Sequence, residues 1–256
     1  TICISGTHGK TTTTGMLTQL FIQAGKDPSA IIGGKLPFIG SNGRAGKSDI
    51  MICEACEYVD TFLKLSPAIS IILNIDADHL EYFGSLENII KSFHQFANQT
   101  SKVLIVNGDD ENVKKAIKDI QDVKIITFGL GADNDYSAAN IKEEPNVFED
   151  FTLMKQGTPL TDIRLSVPGK HNIMNALAAA ATADYFGISG NDIAKGLHDF
   201  TGVHRRFERL GTFHDIVVAD DFAHHPTELN ATLTAAMHMG FKNVWAIFQP
   251  HTYSRT

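Results

Sequence analysis

Apolar positions along this chain alternate between short unbroken runs and helical spacing. Residues 1–5 form a β-prone run, and residues 12–24 then carry Met16, Leu17, Leu20 and Phe21 at helix period. Residues 49–53 and 68–75 are continuous apolar runs, which predict strands covered on both faces. Residues 86–97 read as an amphipathic helix through Leu86, Ile89, Ile90, Phe93 and Phe96. A strand is expected at 102–106, a helix at 111–120 and a strand at 123–128. This rhythm predicts an α/β fold, a mainly parallel sheet with helices on both sides.

The pattern changes after Gly131. Residues 136–141, 147–154 and 163–167 read as short strands of a small antiparallel sheet. Helices at 172–186, ended by Gly187, and at 191–200 follow. From Phe207 a new β-α-β rhythm starts, with strands at 216–219 and 244–248 around a helix at 226–239, the beginning of a Rossmann-like α/β domain. A domain boundary is expected at Arg205 or Arg206, dividing the chain into 1–205 and 206–256. The second part is too short to complete a core, and the first opens inside an apolar strand with no initiator methionine. The sequence therefore reads as a piece of a longer chain.

Composition removes several function classes. With 43% hydrophobic and 20% charged residues in 256, the chain has the makeup of a globular protein. No stretch reaches the ~18 apolar residues of a membrane-spanning helix, and no basic segment leads into an apolar one as in a secretion signal. A cytoplasmic protein without a membrane partner is expected. The net charge of −7 argues against a nucleic-acid partner. Of the three cysteines, Cys53 and Cys56 form a C-x-x-C that Cys3 alone cannot complete into a zinc site. Cys3 and Cys53 lie in apolar runs and read as small buried hydrophobes.

Chemistry enters at Gly6-Thr7-His8-Gly9-Lys10-Thr11-Thr12, between a predicted strand and a predicted helix. Backbone N–H groups at a helix N-terminus make a phosphate cradle, and a lysine neutralises the outer phosphates. The following threonine hydroxyl can bind Mg²⁺. The usual G-x-x-x-x-G-K-[ST] spacing needs glycine at position 4, which is Ile4 here, so the loop is a shortened P-loop. Glu54 ends the run 49–53 at the strand edge where open α/β sheets place ligands, and with Thr11 offers Mg²⁺ hard oxygens. Asn74-Ile75-Asp76-Ala77-Asp78-His79 ends another apolar run, and His79 alone could equally be a hydrogen-bonded loop histidine.

Six segments in order, GTHGKTTT, EACEY, NIDADHLEYFG, GKHNIMNALAAAA, GVHRRFE and DDFAHHPTE, resemble the Mur ligases over essentially the whole chain. The shortened loop is typical of that family. The resemblance implies a central ATP-binding domain at 1–205 and the start of a C-terminal domain at 206–256, with an N-terminal UDP-binding domain missing ahead of Thr1. It implies ATP and Mg²⁺ as cofactors and a carboxylate activated as an acyl phosphate that an amine then attacks. The GTHGKT histidine, EACEY, NIDADHLEYFG, DDFAHHPTE and the final QPHTYSRT favour the branch that joins L-alanine to UDP-N-acetylmuramate. Branches that use a carbamylated lysine carry it nine residues after the glycine at position 84, where this chain has Phe93. The alternatives kept open are the murein-peptide recycling branch, a folate-type polyglutamate ligase, a P-loop ATPase switch and a binding module.

The resemblance also implies roles for single residues. Gly6, Thr7, His8, Gly9, Lys10, Thr11 and Thr12 would cradle the phosphates. Thr11, Glu54 and His79 would hold metal. His171, Asn172 and Asn175 match the adenine-contacting H-N-x-x-N segment, with helix capping as the other reading of Asn172. Arg205 or Arg206 would reach the nucleotide from the domain junction, and Asp220 or Asp221 from the second domain. His224 and His225 would face the acceptor, with His251 and Arg255 near the substrate end. Lys10, Glu54, His79 and His225 form the expected catalytic set.

Overall fold

The computed structural model describes residues 1–142 and 149–250. The fold is α/β, with a large, mostly parallel sheet and a small antiparallel one. The first strand, β1 (Ile2–Ser5), leads into α1 (Lys10–Gln23), β2 (Ser29–Leu36), β3 (Ser41–Arg44), β4 (Met51–Glu54) and β5 (Ile69–Ile72). Then come α2 (Leu80–Phe83), α3 (Leu86–Asn98), β6 (Val103–Asn107), α4 (Glu111–Ile117) and β7 (Lys124–Gly129). The antiparallel run β8 (Tyr136–Lys142), β9 (Asp150–Lys155) and β10 (Thr158–Arg164) precedes α5 (His171–Tyr185) and α6 (Gly190–His198). Last are β11 (Glu208–Phe213), β12 (Ile216–Asp220) and α7 (Pro226–His238).

The large sheet has the order β10-β9-β8-β7-β6-β5-β1-β4-β2-β3. Period-2 alternation splits its apolar runs between two cores. Ile2, Ile4, Ile69, Ile71, Val103 and Ile105 face α1, α5 and α6, whereas Cys3, Ile72, Leu104 and Val106 face α3 and α4. The alanines of α5 from Ala176 to Ala181 are buried, and because their side chains are small α5 lies close against α1. Opposite, Phe62 stacks on Phe96 and meets Phe93 edge-on. Ser85 caps α3 by accepting the Asn88 N–H, and Asp110 caps α4 by accepting from Asn112 and Val113.

The strands read as a small antiparallel sheet do pair antiparallel, β8 with β9 and β9 with β10, and they extend the large sheet because β8 pairs in parallel with β7 at Phe128–Tyr136 and Gly129–Ser137. One expectation needs correction. The strand expected at 244–248 does not form. The segment pairs with neither β11 nor β12, which bond to each other, and Trp245 and Ile247 are almost fully exposed. Without a ladder partner, an apolar run gains nothing from extended backbone. Of the strand expected at 147–154, residues 147 and 148 lie outside the described residues.

Candidate active site

The loop after β1 is fastened to the end of β5. Thr7 N–H donates to the Asn74 carbonyl at 3.1 Å, and the Asn74 carboxamide clamps His8, accepting its N–H at 2.7 Å and donating to its carbonyl at 3.0 Å. This fit leaves no room above Gly6 (φ 138°), where a Cβ would come within 2.9 Å of Leu73 Cβ. Gly9, left-handed at φ 86°, turns the chain into α1. Lys10 Nζ donates to the carbonyls of Gly6 (2.6 Å) and Thr7 (3.1 Å) and pairs with buried Glu57 at 2.9 Å. Burial opposes the ammonium charge, but the Glu57 carboxylate outweighs it and holds the Lys10 pKa above its ordinary value. Thr11 Oγ1 donates to Glu54 Oε1 at 3.1 Å, and Glu54 Oε2 accepts the Gly33 N–H at 2.7 Å.

A cavity of 490 Å³ opens where β1, β5, β6 and β7 end. Gly9, Thr11, Thr12 and Asn74 line one side, His171, Asn172 and Asn175 another, and Arg206, Asp221 and Glu228 face them from the chain beyond residue 205. Lys10 does not line it. Asn172 lies inside α5, whose N-cap is Lys170, so capping does not account for it. Its amide donates to the Pro168 carbonyl at 2.7 Å, and its oxygen accepts from Asn175 at 3.0 Å. Asn175 in turn accepts the Thr13 hydroxyl at 3.2 Å, which couples α5 to α1. Desolvation by its surroundings holds the His171 pKa below its ordinary value against the pull of Asp221 and Glu228.

The structure separates the two arginines and the two aspartates left open by the sequence. Arg205 pairs with Asp220 at 3.2 Å, away from the cavity lining, and Arg206 and Asp221 line it. Asp221 accepts from Phe207 N–H, Ala223 N–H and the Thr232 hydroxyl at 2.9, 2.7 and 3.2 Å, which organises the junction. His225 caps α7: its Nδ1 accepts the Thr227 N–H at 3.3 Å, and Glu228 reaches back to its N–H. His224 Nδ1 lies 2.7 Å from the Phe222 carbonyl.

His8 joins the two sides. Its Nε2 is 3.2 Å from Asp76 Oδ2, its Nδ1 3.4 Å from Glu228 Oε1, and its ring 4.8 Å from that of His225. Burial opposes a charged His8, but Glu228 and Asp76 together outweigh it and raise the pKa above 6.5. Burial also opposes ionised Glu228, yet His8 and Arg206 pull its pKa down to about 2. The His8 contribution is therefore complete below pH 6.5 and is lost as pH rises through the raised folded value. The Glu228 contribution is complete above 4.5 and is lost as pH falls towards 2. The stability difference between the parent and His8→Asn should accordingly be largest between pH 4.5 and 6.5 and shrink on either side, read as Tm against pH in metal-free buffer.

His79, left-handed at φ 52°, sits against the Tyr58 ring, with its ring nitrogens 3.4 Å from the Glu81 carboxylate and 3.7 Å from that of Asp78. His251 and Arg255 lie outside the described residues. Sequence reasoning overlooked Glu57, Asn107, Asp110 and Glu228. Glu228 ends the quoted DDFAHHPTE segment, but its capping box opens with His225 rather than the usual serine or threonine, so only the structure shows it. Glu57 carried no signal beyond its place in EACEY.

Known proteins are similar to this chain along its whole length. Residues 4–183 match the Mur ligase middle domain, and residues 205–255 match the Mur ligase, glutamate ligase domain. The UDP-N-acetylmuramate–L-alanine ligase of Acetivibrio thermocellus is 45% identical over 258 residues, covering 100% of this chain and 55% of that protein. The enzyme of the same name from Clostridium tetani is 45% identical over 257 residues, covering 100% and 56%. The chain thus spans about half the length of the curated relatives it matches. Among solved structures, UDP-N-acetylmuramate-alanine ligase from Thermotoga maritima superposes with a TM-score of 0.81 at 29% identity, over 93% of this chain and 54% of that one. A murein peptide ligase from Psychrobacter arcticus gives 0.74 at 26%, over 98% and 57%. With a shortened phosphate loop, a cavity at the strand ends and a family match over most of its length, the chain belongs to the Mur ligases.

Proposed function

We propose that this chain is the ATP-using core of a ligase that joins L-alanine to the carboxylate of UDP-N-acetylmuramate. The observation that carries the reading is the cavity bordered at once by the phosphate loop, the Asn172–Asn175 pair and Arg206 with Asp221. Relatives named for that reaction share 45% of its residues. We place the ATP-binding part at 1–205 and the start of the closing part at 206–256, in a cytoplasmic enzyme.

Each residue then has a task. N–H groups at the start of α1 take the phosphates, and Lys10 supplies positive charge beside them. Thr11 and Glu54, hard oxygen donors 3.1 Å apart, suit Mg²⁺, and His79 completes the set read from the sequence. Bound there, Mg²⁺ would neutralise charge so that phosphate and carboxylate can approach. His171 and the two asparagines border the space for the base. Arg206 and Asp221 close over it, excluding water that would hydrolyse an acyl phosphate before the amine attacks. His224, His225, His251 and Arg255 are assigned to the acceptor side.

The test is phosphate release from ATP by the full-length protein with UDP-N-acetylmuramate, adding L-alanine, L-glutamate or the tripeptide in turn. Release that requires L-alanine is expected. A requirement for the tripeptide would move the assignment to the recycling branch, and release indifferent to every acceptor would replace the ligase by an ATPase switch.

A further inference from the structure

The His8 cluster offers ligands as well as charges. One donor atom each from His8, Asp76 and His225 lie within 4.8 Å of one another, all three residues being half-buried. Tetrahedral zinc, with bonds near 2.0–2.2 Å, spaces its ligands about 3.3 Å apart. His8 Nε2 and Asp76 Oδ2 are already 3.2 Å apart, so only His225 has to move inwards. Glu228 adds a second indication: its carboxylate stands 3.4 Å from His8 Nδ1. A carboxylate on the far nitrogen fixes the tautomer of a metal-binding imidazole and raises its basicity.

From this geometry we propose a binding site for a zinc-class divalent ion formed by His8 Nε2, Asp76 and a ring nitrogen of His225, with water in the fourth position. It is separate from the Thr11–Glu54 pair but borders the cavity, which His8 and Asp76 help to line. Two imidazoles and one carboxylate favour Zn²⁺, Co²⁺ or Ni²⁺ over Mg²⁺, which prefers oxygen. Ligation gives up the 3.3 Å cap bond from Thr227 N–H, because the other ring nitrogen must then carry the proton or the metal. Glu228 still holds the His225 N–H, so half of the capping box stays. The ion would join the phosphate loop and the end of β5 to the start of α7.

The test is metal binding by the full-length protein after chelator treatment and dialysis. Titration with Co²⁺ should give the intense visible absorption of a four-coordinate ion at one equivalent, and Zn²⁺ should displace it. His225→Asn removes the imidazole but keeps a good helix cap, and Asp76→Asn keeps the side-chain shape. Each should weaken Zn²⁺ binding at least tenfold with its circular-dichroism spectrum unchanged, and Glu54→Gln should leave the affinity as it was. Equal Zn²⁺ affinity in the parent, His225→Asn and Asp76→Asn would overturn the site. So would loss of the Co²⁺ band in Glu54→Gln alone, which would put the ion at the Thr11–Glu54 pair.

Discussion

Replacing Lys10 by alanine is expected to lower nucleotide-dependent turnover of the full-length protein by about 10²- to 10³-fold and to destabilise it by roughly 3–5 kcal/mol. The two losses have different origins. The Lys10 ammonium supplies charge next to the loop that would take phosphates, and it spans the Gly6 and Thr7 carbonyls that shape that loop. It is also the partner of Glu57, whose side chain is only 3% exposed. Alanine leaves that carboxylate buried without a counter-charge, the costly way to break such a pair. The double variant Lys10→Ala/Glu57→Gln separates the effects, because a neutral amide tolerates the site better than a lone carboxylate. Chemical denaturation should show most of the stability returning while phosphate release stays low. If turnover returned with stability, Lys10 would be a structural lysine and nothing more.

Much of the fold was legible because its signals are local. The amphipathic face of α3 and the unbroken apolar runs of β1, β5 and β6 are each written in a few neighbouring residues. What escaped depends on partners distant in sequence. Strands β2 and β3 were not anticipated, and Gly33 and Gly34 explain part of this. A Cβ at Gly33 would run into the Glu54 carboxylate, and one at Gly34 into Val203 Cγ1 at 2.7 Å. Glycines that weaken the strand pattern are thus there to admit a neighbour 21 residues on in the first case. The site follows the same rule. The phosphate loop and Glu54 announced themselves by motif and strand edge, but the pairing of His8 with Glu228 joins residues 220 positions apart. Only the folded chain brings them together. The lone run at 244–248 shows the reverse, a local strand signal left without a partner.

The left-handed glycine at position 9, packed against Asn175, carries a second large effect. Gly9→Ala is expected to cost roughly 2–4 kcal/mol of stability and to weaken nucleotide binding by about 10- to 100-fold. At φ 86° an L-residue is strained by about 1–2 kcal/mol. The new methyl would also fall on Asn175 Oδ1 and lie 3.3 Å from its Cγ. That side chain is buried and bonded to both Thr13 and Asn172, so moving it leaves polar groups unpaired, at about 1–3 kcal/mol each. Gly25→Ala is the matched control. Gly25 is left-handed too, at φ 71°, but a methyl there meets nothing within 4 Å. It should show the strain alone and no change in nucleotide affinity. Denaturant midpoints and calorimetric titration with a non-hydrolysable ATP analogue read both quantities. Equal destabilisation by the two substitutions would refute the packing of Gly9 on Asn175. Unchanged affinity in Gly9→Ala would mean that the nucleotide binds without the loop and the H-N-x-x-N helix pressing together.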